Sequence, residues 1–398
     1  MSIGGVTGFL SIQRTESFLH DKCVKNRLKM KRVLHVLVSL ERSGMEMMLL
    51  NSAEEWHRRG YECDVLATAE AVGPVAPQMR ESGYGVFHIP FRSKWRYLPR
   101  AEFVLQFYRL CRAGYDVVHI HTEAAPSVFA MLAKLAGVRR IAVTPHNTFY
   151  FRGALRVRKF CERHLVHLLG GRFGMISEGV RKCEWERFRS RGIRIWNWLD
   201  TSHFKAPTFE ERATARRSLG IGDEELVIVS VGNCNSAKNH DAILRAISLL
   251  PATIHPLYLH IGRERPDFPE RELAAELKIV SKVRFLESQA DTLPFLWASD
   301  IFVMPSLIEG FPISALEAVA AGVPLVCSKV EGLSEVAAET RWAILTSTTA
   351  ESVAEGLAKM AAIEPIERLQ RALPDSQRVR GRFSIQNGVR SIVEGLYE

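Results

Sequence analysis

Asp300-Ile301-Phe302-Val303-Met304-Pro305-Ser306-Leu307-Ile308-Glu309-Gly310-Phe311-Pro312-Ile313-Ser314-Ala315-Leu316-Glu317-Ala318-Val319-Ala320-Ala321-Gly322-Val323-Pro324 is the stretch that decides how this chain folds. Its opening apolar run, Ile301 to Met304, reads as a strand buried on both faces, as in a parallel sheet. Pro305 ends that strand. A loop follows with Glu309-Gly310-Phe311-Pro312, and a helix begins near Ile313, where Pro312 suits the first turn because its missing N–H costs nothing. Gly322-Val323-Pro324 stops the helix, and Leu325-Val326-Cys327-Ser328 opens the next strand.

The unit therefore carries one carboxylate, Glu309, in the loop above a strand end, and a second, Glu317, inside the helix. Between them lie the free N–H groups of a helix N-terminus, which attract anions. A ligand with hydroxyls at both ends and phosphates in the middle fits this order, and a nucleotide sugar is such a ligand. Carboxylates accept paired hydrogen bonds from vicinal diols, and the helix dipole offsets part of a diphosphate charge.

Working outward, the same alternation of short apolar runs and helical stretches fills the chain. Strands are expected at Arg32-Val33-Leu34-His35-Val36-Leu37-Val38, Cys63 to Ala67, Val86 to Ile89, Asp116 to His121 and Arg140 to Thr144. One helix is expected from about Met45 to Gly60 and another over 101–113. The pattern restarts at Leu226 to Gly232 and continues through Leu257 to Gly262, Val283 to Leu286, Ile301 to Met304 and Leu325 to Cys327. Two parallel α/β units follow from this, with their ligand crevice at the strand C-terminal ends. The expected division is an irregular leader over 1–29 (Met30 being a second candidate start), one domain over 30–203, another over 204–380, and a helix over 381–398 that crosses back to the first.

The 398 residues are too many for one ordinary core. With 47% apolar and 24% charged residues, the composition is that of a globular chain, and no run approaches a membrane span. Seven cysteines, an odd number with no C-x-x-C pair, argue for reduced thiols rather than a disulfide framework or a zinc site. The net charge of +9 is concentrated in the first half, most densely from Arg152 to Arg194. Such a face suits anionic lipid headgroups or a lipid diphosphate. Nucleic acid is disfavoured, because no nucleic-acid-binding motif accompanies the charge.

The segment around Glu309 and Glu317 resembles the donor-site signature of retaining glycosyltransferases of GT-B architecture, closest to glycosyltransferase family four. Every element of the pattern Glu-Gly-Phe-Pro…Leu-Glu-Ala-Met-Ala-x-Gly-x-Pro is present, except that Val319 stands for Met. The resemblance runs from about Lys31 onward and implies two Rossmann-like doubly wound α/β domains facing across a cleft. By matched position it implies that Glu309, with Gly310, Phe311 and Pro312, holds the transferred sugar, and that Glu317 holds the ribose. Gly232-Asn233-Cys234-Asn235-Ser236-Ala237-Lys238-Asn239-His240 resembles the family's Gly-Arg…Lys-Asn segment. Lys238 matches the diphosphate-binding Lys, whereas Asn233 replaces an Arg and can donate hydrogen bonds without supplying charge. Arg263 is one residue that could compensate. Ser43-Gly44-Met45-Glu46 matches a Gly-Gly-x-Glu loop with Gly44 kept. His146, in Thr144-Pro145-His146-Asn147, matches a strand-end histidine at the reaction centre, with His121 as a lesser candidate. Ser177-Glu178 and Asn197-Trp198-Leu199-Asp200 match structural turns, and Glu335 matches a further acidic position.

The function implied is transfer of a sugar from a nucleotide diphospho-sugar, with retention, to a glycan or lipid-linked acceptor in polysaccharide biosynthesis. His146, Lys238 and Glu309 would stand at the reacting centre. No cofactor is expected beyond the co-substrate, and no metal, since no Asp-x-Asp occurs in the chain. The expected place is the cytoplasm, with peripheral contact at the inner membrane face. Phe91-Arg92-Ser93-Lys94-Trp95-Arg96-Tyr97-Leu98 interleaves aromatic and basic residues as interfacial segments do. The architecture also serves nucleotide-sugar epimerases, and a non-catalytic nucleotide-sugar-binding protein is the other alternative. A dehydrogenase is disfavoured by the absence of G-x-G-x-x-G after either opening strand.

Overall fold

The structure, a computed structural model, describes residues 30–91 and 101–398. The leader over 1–29 and the basic-aromatic residues Arg92 to Leu98 lie outside the described residues. Among the described residues, thirteen strands form two sheets. In the first, β1 (Lys31–Leu37), β2 (Tyr61–Ala67), β3 (Gly85–His88), β4 (Val117–Ile120), β5 (Arg140–Val143), β6 (Arg172–Met175) and β7 (Ile193–Arg194) take the order β3-β2-β1-β4-β5-β6-β7. In the second, β8 (Leu226–Val231), β9 (Pro256–Ile261), β10 (Val283–Phe285), β11 (Ile301–Met304), β12 (Leu325–Ser328) and β13 (Ile344–Thr346) take the order β10-β9-β8-β11-β12-β13. Every pairing is parallel.

Parallel strands need helical crossovers that cover both faces, so central strands must be apolar throughout. This is the burial seen: all four residues of β11 and of β12 are buried, as are the last five of β1. In both sheets the order reverses beside the first strand of the unit, with β1 between β2 and β4 and β8 between β9 and β11. Crevices open at such reversals, and the loops after β1, β4, β5, β8 and β11 carry the residues considered below.

The long helix expected from Met45 to Gly60 is two helices, Gly44–Leu50 and Ala53–Arg58. Ser52 interrupts it, its hydroxyl donating to the Met48 carbonyl at 2.5 Å, a competition with the helix ladder typical of Ser. The strands β6, β7 and β13 were not anticipated. They contain four, two and three residues, too few to display a period.

Residues beyond the second sheet return to the first. Helices Ile385–Ile392 and Val393–Tyr397 lie against it: the Tyr397 hydroxyl is 2.8 Å from His119 Nδ1, and Arg140 donates to the Glu398 carbonyl at 2.5 Å. Gly388 allows this return, since a Cβ there would fall 2.1 Å from the Trp198 ring. No helix among the described residues is long and apolar enough to cross a membrane.

Candidate active site

Two loops of the second sheet converge first. After β8 the chain turns at Gly232, and a Cβ on Gly262 would come 2.2 Å from the Gly232 carbonyl oxygen, so glycine is required for the loops after β8 and β9 to approach. Asn233 braces this contact: its Oδ1 accepts from the Arg263 backbone N–H at 2.9 Å. Arg263 itself points outward, 64% exposed, 3.6 Å from Glu41 of the first domain. Lys238, further along the β8 loop, pairs with Glu309 in the β11 loop, Nζ to Oε1 2.7 Å. Glu309 is 9% exposed, so the pair sits at the rim of the interior rather than in open water.

Directly behind Glu309 the helix Ile313–Ala320 begins, with Pro312 as its N-cap in an extended conformation and no side chain capping the first turn. Its leading N–H groups are therefore free to meet an acceptor. Glu317, half-buried on the same helix, has its carboxyl pushed up to about 7, first by burial and then by the charge of Asp291. Loss of water disfavours the carboxylate, and a nearby like charge disfavours it further.

The first domain closes on this face. A Cβ on Gly310 would lie 2.2 Å from the His146 carbonyl oxygen, so the loop carrying Glu309 rests on the strand-end turn carrying His146. Gly44, exposed at the start of its helix, faces Ile313 with an ideal Cβ only 3.2 Å from the Ile313 side chain. The structure thus brings Gly44, His146, Glu309, Gly310 and Lys238 to one cleft, with Phe311 and Pro312 forming its floor.

His146 heads a chain of imidazoles. Its Nε2 lies 2.9 Å from His121 Nδ1, and His121 Nε2 lies 3.1 Å from His35 Nδ1. All three rings are held neutral by burial: His146 falls to about 4, His35 to about 3, and His121 well below its ordinary value. Neutral rings have one N–H each, so the chain can run in only two directions. His35 Nε2 is buried without a partner, and a buried bare lone pair costs less than a buried orphan N–H. The arrangement with protons on His35 Nδ1 and His121 Nδ1 leaves no N–H orphaned; in it His146 accepts at Nε2 and carries its own proton on Nδ1.

Some residues noted in the sequence without a defined part in the site acquire one from the fold. Glu46 is buried, accepts from the Ser43 hydroxyl, and has its carboxyl raised to about 7 by burial; it closes the Ser43-Gly44-Met45-Glu46 match, where it was given no role of its own. Glu335 accepts from the Glu178 and Gly179 backbone N–H groups at 2.9 Å each and from Arg194 at 2.5 Å. It so clamps a first-domain helix, Glu178–Phe188, to the second domain. Asn197 Nδ2 donates to the Phe311 carbonyl at 2.8 Å, tying the segment between the domains to the cleft floor. The dense basic block is partly neutralised: Arg163 lies buried against Glu184 at 2.7 Å, and Lys159 against Glu162 at 2.9 Å.

Known proteins share this fold. The sequence matches the family described as Glycosyl transferases group 1 over residues 211–373, and that described as Glycosyltransferase Family 4 over residues 42–232. An uncharacterised glycosyltransferase of Methanocaldococcus jannaschii is 38% identical over 311 residues, covering 74% of this chain and 78% of its own. A D-inositol 3-phosphate glycosyltransferase of Corynebacterium urealyticum is 28% identical over 335 residues, covering 76% and 78%. Among solved structures, Anabaena HepE in complex with UDP and glucose superposes with a TM-score of 0.78 at 17% identity, covering 92% of this chain and 98% of its own. Matches that together span both sheets, with a relative at that identity, make the chain a member of the family-four glycosyltransferases of GT-B architecture.

Proposed function

We propose that the protein transfers a sugar from a nucleotide diphospho-sugar, with retention at the anomeric carbon, to a glycan or lipid-linked acceptor in polysaccharide biosynthesis. The observation that carries this reading is the Lys238–Glu309 pair at 2.7 Å, set before an uncapped helix start and pressed against His146. Without donor, each of the two charges answers the other. With donor, Lys238 turns to the diphosphate, the helix N–H groups share that charge, and Glu309 is released to accept from sugar hydroxyls. Glu317 receives the ribose hydroxyls from within the helix. His146 offers its Nδ1–H to an oxygen of the sugar. Leaving-group charge is met by Lys238, the helix terminus and the Gly44 loop, so the step calls for no metal ion of its own. The complex of HepE with UDP and glucose supports a uridine nucleotide as the first candidate.

The acceptor is best matched to an anionic membrane surface. On helix Gly153–Leu168, Val157, Phe160, Leu165 and Leu168 are exposed and recur at helical spacing, with Arg152 and Arg156 exposed beside them. An apolar stripe with a basic margin suits the interface of anionic lipid. Co-sedimentation with phosphatidylglycerol vesicles, lost in high salt and in Leu165→Glu/Leu168→Glu, is the expected outcome; equal binding to neutral vesicles refutes it.

The donor assignment is tested by thermal shift with UDP, GDP, ADP and their sugar conjugates, since a ligand of the folded state raises the melting temperature by mass action. One nucleotide should give a shift that disappears in Glu317→Ala. Absence of any shift sinks the donor reading. Product analysis with donor alone should show no epimer.

A further inference from the structure

A second cluster of chemistry-bearing side chains lies behind the β8 loop, on the side away from Glu309. Cys234, His240 and His260 are 8%, 6% and 0% exposed, and a potential ligand atom from each lies within 4.8 Å of the other two. They come from three elements: the loop after β8, the start of helix His240–Leu249, and β9. The cysteine spacing argues against a zinc site because no two cysteines are close in sequence; the fold builds this group from one cysteine and two histidines instead.

The geometry points to a site for a single zinc-type divalent cation, held by Cys234, His240 and His260. The Cys234 Sγ to His260 Nε2 distance is 3.3 Å, and the edge between sulfur and imidazole nitrogen on a tetrahedral zinc is about 3.5 Å. His260 Nδ1 lies 3.4 Å from the Ser230 hydroxyl, which is itself 2.7 Å from the Tyr258 hydroxyl. That outer contact suits the tautomer with Nε2 bare, as ligating histidines require. Two polar atoms at this place are buried and without partners, His240 Nδ1 and Glu270 Oε2. Glu270 is 1% exposed and adjoins the Cys234 thiol, with its Oε1 held by Arg265 at 2.6 Å, an acidic outer neighbour for a bound cation. In the other histidine group, His35, His119 and His121, every ring nitrogen except His35 Nε2 is already engaged in a hydrogen bond, and it carries no such assignment.

When the ion binds, the Cys234 S–H bond breaks, a metal–sulfur bond forms and the proton leaves to solvent; no electron moves. Cys234 and His240 flank Lys238 by four and two residues. The ion therefore staples both ends of the loop that presents Lys238 to the cleft, a structural role separate from the reaction. Because the site is read by metal alone, its failure is distinguishable from failure of the donor assignment.

The test is titration of chelator-stripped protein with Co2+. We expect one equivalent bound with a thiolate-to-cobalt charge-transfer band, release of one proton, loss of the band on adding Zn2+, and a melting temperature that rises with free Zn2+. Cys234→Ala should abolish the band while leaving the metal-free melting temperature within a few degrees. Should that variant not fold, His260→Gln must weaken Co2+ affinity at least tenfold. A wild-type protein without the band, or a band that survives Cys234→Ala, overturns the assignment.

Discussion

Glu317→Gln separates stability from function at one atom pair. In the free protein the Glu317 carboxyl titrates near 7 against an ordinary value of 4.5, and in the unfolded chain it returns to that ordinary value. The folded state therefore holds the proton more tightly. Its contribution is present in full below about pH 4.5 and is lost as pH rises to about 7. A displacement of that size corresponds to about 3 kcal/mol of destabilisation above neutrality and about 1 kcal/mol near pH 5. Glutamine is neutral at every pH, so the variant should be more stable than the parent by an amount that grows from about 1 to about 3 kcal/mol across that interval. Urea denaturation at both ends of the range measures it. The same carboxylate is needed to accept ribose hydroxyls, so nucleotide affinity in the parent should improve about tenfold from about pH 6 to about pH 8. In the Gln variant that slope should vanish, with affinity lower by about tenfold or more, the worth of a hydrogen bond to charge. A Gln variant destabilised equally at both pH values refutes the reasoning, because it would mean that the carboxylate is engaged by the fold and not held in reserve for ligand.

Asn233→Arg should tighten nucleotide diphosphate binding about tenfold by adding a charge-assisted hydrogen bond, while loss of the brace to the Arg263 N–H lowers stability by about 1 kcal/mol; calorimetry and melting read the two effects, and unchanged affinity counts against the loop as a diphosphate site. His146→Gln, which keeps an N–H donor, should retain more turnover than His146→Ala. The acid limb of the pH–rate profile should stay near 7 in both, because His146 itself titrates near 4; a limb that disappears with His146 would make it a base rather than the proposed donor. Glu335→Ala unclamps Glu178, Gly179 and Arg194, so kcat and KM should change together and small-angle scattering should report a wider particle; unaltered kinetics would leave Glu335 no part in closure.

The central strands were legible because a strand covered on both faces carries a largely apolar, buried run, as β1, β8, β11 and β12 do. The edge strands β7 and β13 were not, since two or three residues carry no periodicity. At the site, Glu309, Glu317 and Lys238 could be marked singly by motif, but the pairing of Lys238 with Glu309 joins positions 71 apart and only folding reveals it. The histidine chain was half visible. His119 and His121, two apart around a strand end, fall on one side of the sheet by the period of two, a signal that was available. His35 joins them from β1, which no local pattern discloses. Glu46 was matched with the Gly44 loop but given no role, because its burial is not announced by an acidic letter at a helix start.

The return of residues 385–397 to the first sheet has a consequence for the order in which the chain matures during synthesis. Tyr397 reaches His119, whose other ring nitrogen contacts Thr144 at 2.8 Å, so the floor beneath the imidazole chain is finished by residues translated after the whole second domain. A nascent first domain exposes an unfilled slot along β5 and β6 until then. Tyr397→Ala, which empties that slot, should lower yield and activity together.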